Sequence, residues 1–139
     1  MQINAYLQFN GQCEAAFKFY AQCLGGKVLL LMTYGEAPMA EKIPPDWRGK
    51  IMHARLDVQG QVVMGSDVAP DRFEAPKGCS MSIGVDDPAE AERVFAALAE
   101  KGTVGMPLQP TFWAERFGVV VDRFGIPWMV NCERPGPTK

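Results

Sequence analysis

The sequence has 139 residues, of which 47% are hydrophobic and 22% charged, and its formal net charge at pH 7 is −2. This composition excludes an intrinsically disordered chain and predicts a single domain over residues 1–139 with a sizeable core. Apolar runs such as residues 28–32 are too short to span a membrane, and Lys and Arg form no clustered stripe that marks a nucleic-acid-binding surface. We therefore expect neither nucleic acid nor a membrane as a partner.

The N-terminal segment lacks the basic start and the apolar stretch of a secretion signal, which predicts a cytoplasmic protein. The sequence contains four cysteines, none of which forms a C-x-x-C motif: Cys13, Cys23, Cys79 and Cys132. We expect them to be reduced thiols that pack as small apolar residues. The only histidine, His53, leaves little from which to build a zinc or iron site of the usual kind.

An internal repeat orders the predicted elements. Displacing the sequence by 76 positions superposes similar residues of two segments, which predicts one module over residues 1–67 and a second over 79–134. The superposed pairs are Glu14 and Glu90, Ala15 and Ala91, Phe19 and Phe95, Ala21 and Ala97, Gly26 and Gly102, and Val28 and Val104.

The first module begins with a period-two alternation over residues 2–9, in which Ile3, Ala5, Leu7 and Phe9 share one face, and this predicts a strand. A helix follows, because apolar residues then recur at helical spacing. These residues are Ala16, Phe17, Tyr20, Cys23 and Leu24. Strand-like runs over 27–34, 50–58 and 61–67 complete the module, and the proline-rich stretch 35–49 is predicted to be a long excursion.

A linker over residues 68–78 leads to the second module, which repeats the same order. An alternating strand over 80–85 precedes a helix that begins with Asp87 as N-cap and Pro88 in the first turn. Three strand-like runs follow at 103–108, 117–122 and 126–132, with a loop over 109–116 and a frayed tail over 135–139. The pair Gly25-Gly26 and the single Gly102 stand where left-handed helix C-caps are expected.

The predicted order of elements, a strand, a helix and three strands, occurs twice. This duplicated order resembles that of the vicinal-oxygen-chelate superfamily of glyoxalases, bleomycin-resistance proteins and dioxygenases. The segments YLQFNGQCEAAFKFYAQCLGG, KIMHARL with MGSD, and FWAERFGVVVDRFGIPWMVN resemble its bacterial PhnB-like branch. The resemblance implies an α+β fold in which two βαβββ modules form a curved, partly open, barrel-like mixed sheet around a cavity, with helices on the outside. It further implies a small-molecule ligand and pairing of two copies into a homodimer.

Metal-dependent members of this superfamily hold an ion with residues of the first and fourth strands of each module. The resemblance places Asn4, or its neighbour Ala5, and Ser80 at the first-strand positions, and Met64 and Met129 at the fourth-strand positions. Amide, hydroxyl and thioether groups are poor ligands for hard divalent ions. We therefore expect no metal and no other cofactor.

Two groups of residues are candidates for acid–base chemistry. His53 shares a strand face with Arg55 and Asp57, a row that can orient an imidazole as a general base or, alternatively, can face solvent or tie strands together. Glu115 and Arg116 beside Trp113 offer a carboxylate, a guanidinium and an apolar plate that can clamp an anion, or else form a local ion pair and an aromatic plug.

The remaining candidates are residues expected to line the cavity. Polar contacts are predicted from Tyr6 and Gln8 on the opening strand, together with Asn4 and Ser80, and adaptable apolar walls from Met64, Trp128 and Met129. Simple core packing explains the last three equally well.

Three functions remain open at this point. The first is a small-molecule-binding protein of the glyoxalase and bleomycin-resistance type with a metal-free cavity. The second is a metal-independent lyase, isomerase or transferase that uses His53 or Glu115 as its acid–base group. The third, which the single histidine disfavours, is a divalent-metal enzyme of glyoxalase or dioxygenase type.

Overall fold

The computed structural model describes residues 1–134, so the predicted tail over 135–139 lies outside the described residues. The chain divides into two compact units, Met1–Glu74 and a second that begins at Ala75. Each unit contains one strand, one helix and three further strands, in that order. The prediction that residues 1–139 form one domain stays a prediction.

The first unit is a four-stranded mixed sheet with one helix. Its strand order is β1-β4-β3-β2; β1 runs parallel to β4, and the other two pairs are antiparallel. The elements are β1 (Tyr6–Phe9), α1 (Cys13–Leu24), β2 (Lys27–Thr33), β3 (Ile51–Val58) and β4 (Gln61–Asp67). The predicted excursion between β2 and β3 consists of three short 3₁₀ turns with loops between them.

The second unit repeats this arrangement. Its strand order is β5-β8-β7-β6, again with one parallel pair, β5 and β8. The elements are β5 (Met81–Val85), α2 (Pro88–Ala99), β6 (Thr103–Gln109), β7 (Ala114–Val121) and β8 (Pro127–Glu133). The α+β class and the two βαβββ modules are confirmed, and both sheets are open. The cavity shared by the modules stays a prediction.

Each helix covers one face of its own sheet. In the first unit, a Cβ atom built on Gly65 of β4 would lie 2.9 Å from the Phe17 ring of α1, and in the second a Cβ on Gly118 of β7 would lie 2.7 Å from the Phe95 ring of α2. Side chains alternate along a strand, so neighbours of these glycines point to the opposite side. We call that side the helix-distant face of each sheet.

The helices bury the apolar stripes that their spacing predicts. On α1 the buried residues are Cys13, Ala16, Phe17, Tyr20 and Cys23, and on α2 they are Ala91, Val94, Phe95 and Leu98. Leu24 is only half-buried because it occupies the last position of α1. Within residues 1–134, neither helix has the length and hydropathy needed to cross a lipid bilayer.

Two strands begin more than one residue away from their predicted starts, and one helix cap differs from the sequence prediction. β1 begins at Tyr6, and Ile3 is 92% exposed, because the backbone before residue 5 has left the sheet. β7 begins at Ala114, so Glu115 and Arg116 lie in a strand and not in a loop. Gly25 has the expected left-handed φ of 68°, but after α2 the left-handed residue is Lys101, with φ 60°, and not Gly102.

Candidate functional site

The most specific polar contact on the first sheet joins Tyr6 of β1 to His53 of β3. The Tyr6 hydroxyl lies 3.2 Å from His53 Nδ1, and the two rings stack with centroids 5.7 Å apart and planes inclined by 25°. β4 lies between β1 and β3, so both side chains reach across it on the helix-distant face. The sequence indicated each residue separately but gave no signal that would pair them.

Methionine and arginine continue this surface. Met64 of β4 stands opposite Tyr6 on one side and opposite Arg55 of β3 on the other, so the three side chains share the helix-distant face. We call Tyr6, His53, Arg55 and Met64 the first cluster. Tyr6 is exposed and the other three are half-buried, so the cluster joins an accessible apolar surface to several hydrogen-bonding groups.

The hydrogen-bonding contact that the structure gives to the His53 imidazole comes from Tyr6. Within residues 1–134 no ion pair links Arg55 or Asp57 to the imidazole, although both lie on its face as predicted. If the Tyr6 hydroxyl donates, Nδ1 accepts and the neutral ring carries its proton on Nε2; if Nδ1 donates, Nε2 is left as the base. Either arrangement holds the ring in place and leaves Nε2 for a bound molecule.

A second group of residues lies on the helix-distant face of the second sheet. Phe117 of β7 stands opposite Asn131 of β8, and the Phe117 ring meets Trp113 edge-on with centroids 5.4 Å apart. Met129 precedes Asn131 by two residues on β8, so the two side chains lie on the same face. We call Trp113, Phe117, Met129 and Asn131 the second cluster.

Sequence reasoning missed Phe117 and Asn131. Asn131 Oδ1 is buried and has no hydrogen-bond partner within the part of the chain that the structure describes. The available signal was an amide residue between Val130 and Cys132, both of which are buried on the helix-facing side. The sequence alone places a polar residue there but does not reveal that its oxygen is unsatisfied.

The two methionines occupy equivalent places in the two sheets. Met64 stands opposite Tyr6 of the first strand of its unit, and Met129 stands opposite Ser82 of the first strand of the other. The 76-residue repeat relates Tyr6 to Ser82, so the predicted equivalence of the fourth-strand positions agrees with the register. Thioether sulfur at both positions does not fit a hard divalent ion.

The first-strand candidates fit such an ion no better. The Asn4 side-chain N–H donates to the Val62 carbonyl at 2.9 Å, and Ser80 is an exposed residue that precedes β5. Among residues 1–134, no three His, Cys, Asp or Glu side chains gather closely enough to hold a metal. The metal-free state of the protein stays a prediction.

The structure does not bring the Glu115, Arg116 and Trp113 group together as a clamp. The Arg116 guanidinium pairs with Glu92 of α2, with 3.2 Å between Nε and Oε1, and also donates to the backbone carbonyl of Glu115. Arg116 therefore points to the helix-facing side, whereas Trp113 packs on Phe117. Neither the anion clamp nor a side-chain ion pair between Glu115 and Arg116 forms.

Trp128 is likewise a structural residue. It is 2% exposed on the helix-facing side of β8, and its indole N–H donates to Asp122 Oδ2 at 2.8 Å. We therefore leave Trp128 and Arg116 out of the proposed site. Gln8 remains exposed on β1, on the face that carries Tyr6.

Two of the cysteines, Cys13 and Cys132, are poor nucleophiles. Both are buried, as is Cys23, whereas Cys79 is exposed. Burial, together with the negative charge of Asp67, raises the pKa of the Cys13 thiol, and burial also raises the pKa of Cys132. Because the thiolate is the reactive form, both stay inert near neutral pH.

Comparison with known proteins shows full-length similarity. A family model described as 3-demethylubiquinone-9 3-methyltransferase matches residues 1–131. Protein YjdN of Escherichia coli K12 is 35% identical over 100% of both chains. The crystal structure of protein PA1353 from Pseudomonas aeruginosa is 53% identical, with a TM-score of 0.88 over 97% of this chain and 99% of that one.

More distant structures extend the comparison. The PhnB protein from Bacillus cereus is 25% identical, with a TM-score of 0.81 over 95% of this chain and 99% of that one. A glyoxylase/bleomycin resistance protein/dioxygenase domain from Frankia sp. is 13% identical, with a TM-score of 0.64 over 96% of this chain and 98% of that one. This last likeness is one of fold alone.

Proposed function

Because the chain belongs to the family described as 3-demethylubiquinone-9 3-methyltransferase, the PhnB-like branch of the vicinal-oxygen-chelate superfamily, we propose that it binds a small, partly aromatic, amphipathic molecule without a divalent ion. The observation that carries the proposal is the first cluster, in which a ring pair, a guanidinium and a thioether share one accessible sheet face. A cytoplasmic homodimer is part of the proposal.

Apolar contacts for such a molecule come from Met64 on the first sheet, and Met129 offers the equivalent contact to a molecule on the second sheet. Met64 and Met129 are half-buried on the helix-distant faces, where they do not contribute to the core beneath α1 or α2. Thioether side chains are flexible and polarisable, so they adapt to irregular ligands. Binding sites of this kind are mostly apolar with a few polar groups that fix orientation.

Those polar groups are Tyr6, His53 and Arg55. The Tyr6–His53 contact fixes the position of both rings, and Arg55 adds a permanent positive charge two residues away on the same strand. The family description names a demethylated ubiquinone, which is a quinone-type amphipathic compound of the proposed class. This description supports the proposed class of ligand, and we do not propose that the protein transfers a methyl group.

A thermal-shift screen of metal-stripped protein tests this proposal. Demethylated ubiquinone analogues and other aromatic metabolites are added with and without EDTA, and we expect at least one to raise Tm by several degrees in both conditions, since saturation at 100 times Kd contributes about 2.7 kcal/mol. Met64→Ala is expected to raise the Kd of that ligand roughly tenfold. Met39→Ala is the matched control, because Met39 is exposed between two 3₁₀ turns and belongs to no strand of the first sheet.

A different outcome would contradict the proposal. If freshly isolated protein carries one equivalent of a divalent metal by native mass spectrometry, and its removal abolishes every ligand response, the site is a metal centre. Equal losses of affinity in Met64→Ala and Met39→Ala would place the ligand elsewhere.

The Tyr6–His53 contact also favours a second candidate, a metal-independent lyase, isomerase or transferase with His53 as its acid–base group. General acid–base catalysis by one histidine contributes about 10²- to 10⁴-fold in rate. For any compound that the protein turns over, we expect His53→Gln to lower kcat by about that factor, and Tyr6→Phe, which removes the hydroxyl that contacts the imidazole, to lower kcat by less. Glu115→Gln tests the other acid–base candidate. Unchanged kcat in His53→Gln would eliminate this role.

A further inference from the structure

We propose that the second cluster is a subsite for a planar aromatic group that carries an O–H or N–H donor. Asn131 accepts the hydrogen bond from that donor. This inference deepens the proposed function and rests on it. It names the hydrogen-bonding character of the molecule that the second sheet binds and the side chain that selects for it.

The amide oxygen of Asn131 is unsatisfied within the described part of the chain. Asn131 Oδ1 is a buried acceptor without a partner in residues 1–134, an arrangement that is uncommon because desolvation of an acceptor is costly. The Asn131 residue as a whole is only half-buried, and the proposal includes a rotation about χ2 that exchanges the amide oxygen and nitrogen and presents the oxygen at the surface of the sheet. A donor from a bound molecule satisfies it there.

Open space lies over the β5 residue that pairs with Asn131. Gly84 of β5 stands directly opposite Asn131, and a Cβ atom built on Gly84 would meet nothing within 4 Å. On the other side of Asn131, Phe117 and Trp113 present two rings at 65° to each other, and Trp113 is 46% exposed. A glycine, an amide and an aromatic corner therefore follow one another across the helix-distant face.

This arrangement of residues favours a planar ligand that has a hydrogen-bond donor. An edge of a planar ligand ring fits over Gly84, its face contacts the Phe117 and Trp113 corner, and its donor points at Asn131. A ligand that offers only an acceptor, or whose hydroxyl is methylated, leaves the amide oxygen unpaired. Sites that hydrogen-bond a ligand hydroxyl reject the analogue that lacks it.

A matched pair of probes tests the subsite. 2-Naphthol carries one O–H donor, and 2-methoxynaphthalene has the same rings without it, so both are titrated into the full chain by fluorescence. We expect 2-naphthol to bind about tenfold more tightly. In Asn131→Leu, which keeps the side-chain volume, the ratio of the two Kd values falls to about one while 2-methoxynaphthalene binds as before.

The outcomes separate this inference from the proposed function. If both probes bind equally to the unmodified protein, or if Asn131→Leu keeps the tenfold preference, the subsite is wrong and the binding proposal stands. If neither probe binds although metal-stripped protein responds to other ligands, the subsite is again wrong. If no compound binds at all, both proposals fail. The Tm of Asn131→Leu checks folding and is expected to be unchanged or higher, since an unsatisfied acceptor is removed.

Discussion

Replacement of Asp67 by alanine is expected to lower the free energy of unfolding by about 3–5 kcal/mol. Asp67 is 1% exposed at the end of β4, and its two carboxylate oxygens accept the backbone N–H groups of Cys13 at 2.9 Å and Ile51 at 2.8 Å. The carboxylate thus ties the first turn of α1 to the start of β3. Alanine leaves two buried N–H groups without acceptors, each at a cost of about 1–3 kcal/mol.

Chemical denaturation of Asp67→Ala and of a matched variant, Asp57→Ala, measures this effect. Asp57 lies at the end of the neighbouring strand β3, is half-buried, and accepts only a 3.5 Å hydrogen bond from Gly60 N–H. Its replacement is expected to cost less than about 1 kcal/mol. Similar losses in the two variants would show that Asp67 does not organise the helix.

The second large effect is expected from Gly102→Ala, which should cost about 2–4 kcal/mol. A Cβ atom at Gly102 would lie 2.5 Å from the backbone carbonyl oxygen of Val121 on β7, and backbone cannot yield as a flexible side chain does. The repeat-related Gly26 meets the carbonyl oxygen of Asp57 on β3 at 2.7 Å, so Gly26→Ala is expected to behave alike.

Gly105→Ala is the control for this pair. Gly105 lies in β6, three residues beyond Gly102, and its Cβ would be 3.6 Å from Val119, an ordinary van der Waals contact. We expect this substitution to be within about 0.5 kcal/mol of neutral, helped by the lower entropy of the unfolded chain. Urea midpoints of the three variants compare them directly, and a neutral Gly102→Ala would contradict the close approach of backbone that the structure shows.

Gly26 and Gly102 also show where sequence reasoning stops. Their alignment in the repeat correctly marked them as equivalent, and a left-handed helix cap was the expected reason for Gly102. The structure instead gives the left-handed conformation to Lys101 and requires glycine at 102 because a strand carbonyl lies against it. The identity of that neighbouring strand depends on sheet pairing, which sequence spacing does not contain.

In the candidate site, too, the sequence predicted some features and not others. The alternation of β3 correctly placed His53, Arg55 and Asp57 on one face, but the partner of His53 is Tyr6, from a strand that is separated by β4. Arg116 was expected in a loop beside Trp113 and instead reaches Glu92 on α2, because β7 begins earlier than its apolar run suggests.

The sequence by itself therefore determined the two modules, the apolar faces of both helices and most strand positions, because these depend on periodicities along a few consecutive residues. Only the tertiary structure decided that Asp67 accepts hydrogen bonds at the N-terminus of α1 from 54 residues away, that Tyr6 meets His53, and that Asn131 keeps an unpaired oxygen. The reason is that the order and register of strands bring together residues that are remote along the chain, and no local pattern encodes which of them become neighbours.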